Sequence, residues 1–419
     1  MDSKSTEKFT FSKYQIFIIA ILSFIQFTVI LDFMVLSPLS AILLDELSIT
    51  TSQFSDVVSA YAFSAGISAL LVGGFADKFD RKKMLLFFYM GFVVGTALCA
   101  MATSYGFLLF ARIFTGIFGG VLSSIGFAII TDLFAINVRG RVLGFVQMAF
   151  AASQILGIPV GLALANSLGW HAPFWMIVAI SIIVGLLILV YMKPISEHLQ
   201  QKTEHNPLLH LWQTLSNRDY IRGFMATILL ATGGFMLMPF GAAFSTGNLK
   251  LSLEQLPWLY GITGVSSIIS GPIIGKYADR IGKFRVFVAG SIISIAMVGL
   301  YTNLGPTPLW IVLLINIILF VGINARMIPA QALLTAVPAQ TDRGSFMSVN
   351  SSIQQLSGGV ASKVAGLIVF REASGHMSNY PLLGMVVIGS MLVAILLMYI
   401  LNTHVQKTIK DGGVQRKFA

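Results

Sequence analysis

An aspartate and an arginine interrupt stretches of the sequence that are otherwise apolar. Asp32 lies in F-T-V-I-L-D-F-M-V, and Arg112 lies in L-L-F-A-R-I-F-T-G. Apolar surroundings disfavour an ionised carboxylate, whereas a nearby cation favours it. A carboxyl group under both influences can bind and release a proton near neutral pH as its surroundings change. We therefore predict that Asp32 and Arg112 form a proton-coupling pair. The alternative is a static ion pair that ties two helices together.

The elements that carry these residues are predicted to be membrane-spanning helices. Hydrophobic residues make up 56% of the 419 positions and charged residues 11%, whereas a soluble domain carries roughly 25% charged residues. The sequence contains twelve apolar runs, each about long enough to cross ~30 Å of hydrocarbon as a helix. The runs lie near 14–43, 55–75, 84–103, 107–130, 142–166, 171–192, 222–244, 257–277, 285–303, 308–333, 346–370 and 381–401.

Other polar side chains inside these runs are candidates to line a substrate cavity. An alternative for Lys363 is that its long side chain reaches the membrane surface, and an alternative for Arg326 is a place in a gate. If both face the cavity, an anionic or zwitterionic substrate is favoured. The candidates are Gln147, Gln154, Asn316, Asn324, Arg326, Asn350, Gln354, Gln355 and Lys363.

The net charge of +10 has a topological explanation. Of the 27 Lys and Arg residues, three lie in spans (Arg112, Arg326, Lys363), two lie in loops on one side (Lys250, Arg371), and the other 22 lie on the opposite side. Such an asymmetry over short loops predicts that both termini are cytoplasmic, in a cell inner (plasma) membrane protein. It makes nucleic acid an improbable partner.

The two halves of the sequence resemble each other. The loop from Gly73 to Lys83 is matched by the loop from Ile274 to Arg285, so that Asp77 and Asp279 are 202 residues apart. Asp32 aligns in the same way with Gly234. This duplication predicts an all-α membrane protein of 12 transmembrane helices in two pseudo-symmetric six-helix bundles. The predicted units are residues 1–192, a cytoplasmic linker with an amphipathic helix at 193–221, residues 222–403, and a cytoplasmic tail at 404–419.

The duplicated loop resembles the hallmark loop of the major facilitator superfamily, Gly-x-x-x-Asp-Arg/Lys-x-Gly-Arg/Lys, although Asp80 stands where the family usually has glycine. In that family the loops help to hold the outward-open state, and the resemblance implies a cytoplasmic gate here. The alternative is that the loops only anchor the chain by their positive charge. The predicted gate residues are Gly73, Asp77, Lys78, Arg81, Lys82, Arg139, Gly275, Asp279, Arg280, Gly282, Lys283 and Arg343.

Two further motifs resemble the twelve-span drug:proton antiporter and sugar-efflux branch of the family. Arg112 is followed four residues later by Gly116, as in the family's second motif. Gly157, Pro159 and Gly161 resemble the glycine-proline motif of the antiporters, where this region is thought to seal a leak path. Ordinary close packing of helices is the alternative for the second motif.

The expected function is proton-driven efflux of a small organic molecule by alternating access. Uptake of an organic anion together with protons is a second hypothesis, and a membrane receptor that no longer transports is a remote one. The sequence lacks a nucleophile–base pair, a metal cluster and a phosphate-binding glycine loop, so we do not expect an enzyme. The expected partners are the lipid bilayer, protons and the substrate, with a monomeric chain and no cofactor.

Overall fold

The computed structural model of the chain is built almost entirely from helices. It describes residues 11–73, 79–196, 199, 213–338 and 342–415. The helices of the amino-terminal half are α1 (Lys13–Val35), α2 (Ser40–Glu46), α3 (Thr51–Gly73), α4 (Arg81–Ala100), α5 (Tyr105–Leu133), α6 (Ile136–Ala152), α7 (Ile158–Leu168) and α8 (Ala172–Tyr191).

The carboxy-terminal half repeats this pattern. In both halves a short helix follows the first long helix, and in this half it spans Gly241–Gly247. Two strands, β1 (Phe370–Arg371) and β2 (Met377–Ser378), pair antiparallel before the last helix. The helices of this half are α9 (Arg218–Leu237), α10 (Gly241–Gly247), α11 (Leu256–Ile281), α12 (Lys283–Tyr301), α13 (Leu309–Leu334), α14 (Arg343–Ile368) and α15 (Tyr380–Gln415).

The number of spans agrees approximately with the twelve predicted. Within the described residues, 11 helical segments are long and apolar enough to cross a membrane. The remaining long helix, α14, has 26 residues but carries many serine, asparagine and glutamine side chains. It packs along α3 and α9 inside the bundle, where a polar helix need not face lipid. The two sets of six long helices are therefore present.

Helix boundaries differ from the predicted spans in three places. The first run was predicted to reach residue 43, but α1 ends at Val35, close to Pro38, whose ring removes a backbone donor. The fifth span is divided by a π-helical turn, Ser153–Gly157, ahead of Pro159. The last helix continues to Gln415, into the region predicted to be a tail.

Most of the predicted linker lies outside the described residues. Leu208 to Trp212, which carry the predicted amphipathic pattern, belong to the part that is not described. Residues 213–216 form a single helical turn, and Leu215 packs against the cluster of Tyr220, Phe224 and Phe346.

The two halves meet along two seams, α3 against α14 and α7 against α11. We call the face at which α1 ends the outer face and the opposite one the inner face. Polar contacts between the halves cluster at the outer face. The Thr51 hydroxyl donates to the Val369 carbonyl at 2.6 Å, and the Asn166 amide donates to the Leu253 carbonyl at 2.9 Å. The outer face is therefore closed in this structure.

Candidate functional site

Asp32 and Arg112 meet in the core of the amino-terminal half. Asp32 lies in the last turn of α1, and Arg112 lies two turns after the start of α5. Because α1 and α5 cross the bundle in opposite directions, these positions lie at the same depth. The Nη1 atom of Arg112 donates to Oδ2 of Asp32 at 2.8 Å, and both side chains are 0% exposed. The structure thus brings together the two residues that the sequence singled out.

Two more helices contribute side chains to this ion pair. The Thr96 hydroxyl on α4 donates to Oδ1 of Asp32 at 3.2 Å. The ring centroid of Tyr61 on α3 lies 4.3 Å from Cζ of Arg112, a favourable distance for a cation–π interaction. The Nε and Nη2 atoms of Arg112 are buried without a hydrogen-bond partner among the described residues. The cation is therefore stabilised chiefly by the Asp32 carboxylate and the Tyr61 ring.

Glycines on α5 allow the helices around the pair to approach closely. A Cβ atom at Gly116 would lie 2.0 Å from Oγ of Ser64, and one at Gly120 would lie 2.4 Å from the Ala65 carbonyl oxygen. Any larger side chain at these positions would push α5 away from α3. Arg112 and Gly116 are one helical turn apart. The buried charge therefore lies next to the point where α5 approaches α3 most closely.

The ion pair can exist in two states of different charge. With Asp32 ionised the pair is neutral as a whole, which is the form that a buried site tolerates best. With Asp32 protonated, Arg112 keeps its charge and loses its counter-ion, because a guanidinium does not release its proton. The two states favour different surroundings for Arg112. Coupling of proton binding to helix movement requires a group of this kind.

A cavity of about 630 Å³ lies between α1 and α6. Its wall is almost wholly apolar and includes Phe24, Phe27, Phe145 and Met148. It is open at its side, since Phe24, Phe145 and Met148 are exposed, and none of the predicted cavity residues lines it.

Four predicted cavity residues are glutamines, and all retain some exposure. Gln147 is exposed on α6, and Gln154 is half-buried in the π-helical turn. Gln354 and Gln355 are half-buried on α14. These side chains keep the accessibility that a contact with substrate requires.

The three predicted asparagines bind protein groups instead. The Asn316 amide donates to a carbonyl of its own helix at 2.9 Å. The Asn324 amide lies 2.9 Å from the Ser270 hydroxyl, which joins α13 to α11. Asn350 is 2% exposed and accepts a hydrogen bond from Thr227 at 2.6 Å. Asn350 therefore packs inside the carboxy-terminal half and does not face an open cavity.

The two basic cavity candidates differ in their surroundings. Arg326 is 3% exposed, and its Nε atom donates to the Ser291 hydroxyl on α12 at 3.2 Å. Lys363 on α14 forms an ion pair with Asp56 on α3. Its ammonium group is therefore held by the other half of the molecule.

In the amino-terminal half, the described gate residues bind helix ends. Arg81 forms an ion pair with Asp132 at 2.9 Å. Lys82 donates to the Leu189 carbonyl at 3.0 Å, and Arg139 donates to the Thr131 carbonyl at 2.6 Å. These contacts tie together the inner ends of α4, α5, α6 and α8. Gly73 ends α3, and Asp77 and Lys78 lie outside the described residues.

In the carboxy-terminal half, the gate residues surround the turn between α11 and α12. Asp279 and Arg280 are exposed in the last turn of α11, and Asp279 has no ion pair with any described residue. Gly282 has a φ of +102°, which suits glycine and allows the sharp reversal. Gly275 lies on α11, Lys283 starts α12, and Arg343 starts α14 with its side chain outside the described part.

Asp80, the departure from the family pattern, has a structural role. Its side chain accepts from the Lys83 backbone amide at 2.9 Å and so caps the amino terminus of α4. The same carboxylate accepts from the Ile195 amide at 2.8 Å. Asp80 therefore fixes the segment that follows α8 against the start of α4.

Sequence reasoning missed Asp56. This residue lies near the start of α3, where it pairs with Lys363, and the Tyr105 hydroxyl lies 3.4 Å from its Oδ2 atom. One feature of the sequence could have indicated this ion pair. Asp56 and Lys363 have opposite charge, belong to different halves, and each lies a few residues inside the outer end of a predicted span.

The glycine-proline motif of the fifth span packs against both halves. A Cβ atom at Gly157 would lie 2.6 Å from Leu31, and one at Gly161 would lie 3.2 Å from Val35, both on α1. Pro159 contacts α11 at Gly261. The segment therefore lies at the seam between α7 and α11.

Sequence comparison decides the family. The sequence model of the Major Facilitator Superfamily matches residues 22–362, most of the chain. The chain belongs to the Major Facilitator Superfamily. Membership agrees with the duplicated gate loop, with the two sets of six long helices and with a multi-pass protein of the plasma membrane. It identifies a transporter rather than an enzyme.

Several relatives in this superfamily have names that refer to drug resistance. The chain is 28% identical over 271 residues to the uncharacterised transporter YceJ of Bacillus subtilis, covering 64% of this chain and 68% of that protein. It is 33% identical over 152 residues to multidrug resistance protein 3 of Bacillus subtilis, covering 36% of this chain and 30% of that protein. It is 23% identical over 350 residues to multidrug resistance protein MdtG of Enterobacter lignolyticus, covering 80% and 82%.

Solved superfamily structures share the fold. A bacterial homologue of the lysosomal transporter Spinster, in an inward-facing and unoccupied conformation, aligns with a TM-score of 0.71 at 16% identity and covers 94% of this chain and 97% of its own. The nucleoside transporter NupG aligns with a TM-score of 0.74 at 16% identity, covering 92% and 99%. Similarity at this level extends to the fold and not to the substrate.

Proposed function

We propose that this transporter exports a small organic solute in exchange for protons, by alternating access of its two six-helix halves. The observation that carries the proposal is the fully buried ion pair of Asp32 and Arg112. Nothing in the repeat requires an acid at this depth, because Gly234 occupies the matching position in the other half. A buried charge that the fold does not need is a functional candidate.

Asp32 acts in this scheme as the proton site. When the site is open to the outside, Asp32 takes up a proton, and its ion pair with Arg112 weakens. When the site is open to the cytoplasm, Asp32 releases the proton and pairs with Arg112 again. Solute binding and proton binding oppose each other, and each lowers the affinity for the other by the same factor.

The relatives support export of organic molecules. Two of them are named as multidrug resistance proteins, and another is named as an efflux pump. The apolar cavity between α1 and α6 is compatible with such solutes. We further infer that the chain acts as a monomer, has both termini in the cytoplasm, and uses the proton gradient without a bound cofactor.

Infrared spectroscopy tests the proton site without knowledge of the solute. The carbonyl stretch of a protonated carboxyl group is recorded on reconstituted protein from mildly acidic to mildly alkaline pH. We expect a titrating band in the wild type that disappears in Asp32→Asn and persists in Asp56→Asn. If the wild type and Asp32→Asn give the same titration, the proposal is wrong.

Uptake of an organic anion together with protons is the second candidate. It is favoured by Arg326, a buried cation in the carboxy-terminal half. The two candidates differ in the sign of the pH change that accompanies solute movement. In proteoliposomes loaded with a pH indicator, solute entering with protons acidifies the lumen, whereas exchange makes it more alkaline.

A further inference from the structure

Arg326 is a buried cation of the carboxy-terminal half. It lies on α13 and is 3% exposed. Its Nε atom lies 3.2 Å from the Ser291 hydroxyl, and its Cζ atom lies 5.9 Å from the ring centroid of Phe287. The Nη2 atom is buried without a hydrogen-bond partner. In the part of the chain that the structure describes, no Asp or Glu forms an ion pair with it.

The other half of the molecule shows what such a cation needs. Arg112 is also fully buried, and α1 supplies Asp32 as its counter-ion. The sequence repeat aligns Asp32 with Gly234 on α9. In the carboxy-terminal half, therefore, the first long helix has no acid at the position that neutralises the arginine of the amino-terminal half.

Two glycines of α9 shape the side of this helix near Arg326. A Cβ atom built at Gly234 would meet no atom within 4 Å, and Gly234 is exposed. A Cβ atom at the preceding Gly233 would lie 3.9 Å from Nη1 of Arg326, and 3.6 Å and 3.7 Å from Met391 and Val387 of α15. Nη1 of Arg326 thus approaches α9 at Gly233, and α9 is open at the adjoining position, Gly234.

We propose that Arg326 binds the anionic group of the transported solute, and that the solute is an organic anion or zwitterion. A guanidinium within a membrane-spanning bundle is unfavourable until an anion neutralises it. Its planar fork matches a carboxylate or phosphate through two parallel hydrogen bonds. The solute anion lies against the Arg326 guanidinium near Gly233, and supplies the counter-ion that the chain supplies to Arg112 through Asp32. This proposal rests on the proposed transport function and specifies the class of solute.

Paired probes of equal shape test the charge requirement. Benzoate and phenylacetate are compared with benzamide and phenylacetamide, using purified protein in detergent at fixed pH and constant ionic strength. The readouts are the melting temperature and the Kd obtained from its dependence on probe concentration. We expect each carboxylate to bind at least tenfold more tightly than its amide.

Four variants locate the binding group. Arg326→Met should weaken carboxylate binding at least tenfold, and Arg326→Lys, which keeps the charge but loses the fork, should weaken it less. Gly234→Asp, which supplies an acid within the chain, should also weaken it. Lys250→Met is the matched control, because it removes an exposed cation in a loop of the same half. It should leave the Kd within twofold.

The proposal fails if the carboxylates bind no more tightly than their amides, if Arg326→Met keeps the wild-type Kd, or if Lys250→Met loses as much affinity as Arg326→Met. Because Arg326→Lys retains the buried charge, it shows whether lost binding in Arg326→Met reflects misfolding. Binding at fixed pH does not depend on proton coupling. Asp32→Asn should therefore bind benzoate while losing the titrating infrared band, so each proposal can fail alone.

Discussion

At the scale of single residues, Asp32 and Arg112 depend on each other because neither has access to water. Removing one partner of a buried pair leaves an uncompensated charge, which costs about 3–5 kcal/mol, whereas replacing both by apolar groups is often neutral. We predict that Arg112→Met lowers the free energy of unfolding by up to about that amount and that Asp32→Leu combined with Arg112→Met restores most of it. Melting temperatures measure both effects.

The Thr96 hydroxyl provides a smaller test at the same scale. It donates to Asp32 at 3.2 Å and thereby favours the ionised carboxylate. We predict that Thr96→Val shifts the titration of the Asp32 infrared band toward higher pH, because the ionised form loses a donor. Ser181→Ala, which removes a buried hydroxyl on α8 without a hydrogen-bond partner among the described residues, is the control. A shift toward lower pH in Thr96→Val would contradict this role.

At the scale of elements, the ion pair between Asp56 and Lys363 fastens α3 to α14 near the outer face. The halves must separate there for the outer face to open. We predict that Asp56→Lys or Lys363→Asp alone favours the open outer face, because like charges then oppose each other. The double variant with the charges exchanged should close it again.

Disulfide formation across the outer face measures this effect. The Ala243 amide lies 3.3 Å from Oγ of Ser40, so cysteines at positions 40 and 243, with Cys99 replaced by alanine, should cross-link readily. Each single charge variant should slow the cross-link severalfold, and the exchanged pair should recover the rate. The same exchange at Asp45 and Arg371, a pair in which Asp45 is 67% exposed, should change the rate less. Equal rates in all variants would show that the ion pair of Asp56 and Lys363 does not fasten the halves.

The sequence alone was sufficient to predict features that are duplicated and charged residues that stand in apolar runs. Asp77 and Asp279 revealed two halves, and the family comparison confirms the superfamily that their loops suggested. Asp32 stood out because a carboxylate is rare in an apolar run. The pair of Asp56 and Lys363 could not be foreseen, because its members are 307 residues apart and each resembles a charge at a helix end. The π-helical turn at Ser153–Gly157 also leaves no periodic signal, since it depends on packing against α1 and α11.

At the scale of the whole molecule, the closed outer face and the exposed Asp279 fit one state of the proposed alternating-access cycle. Asp279 is exposed and has no ion pair with any described residue, while the halves are fastened at the opposite face. A gate carboxylate should find its partners when the inner face closes and the outer face opens. We predict that Asp279→Asn removes interactions of the outward-open state alone and so shifts the population toward the state described here.

A cysteine at position 34 reports this shift. Met34 is half-buried on α1 close to the outer contacts, so with Cys99 replaced by alanine a membrane-impermeant maleimide should reach it when the outer face opens. Asp279→Asn should slow labelling severalfold, and Asp279→Glu should recover part of the rate, because the longer carboxylate can still find the same partners. Faster labelling in Asp279→Asn would mean that Asp279 stabilises the closed outer face, and an unchanged rate would mean that this loop only anchors the chain.

A solute that binds the two states with different affinities shifts the equilibrium between them. A solute that prefers the state with the closed outer face should therefore slow labelling of the wild type. It should slow labelling of Asp279→Asn less, because that variant already favours this state.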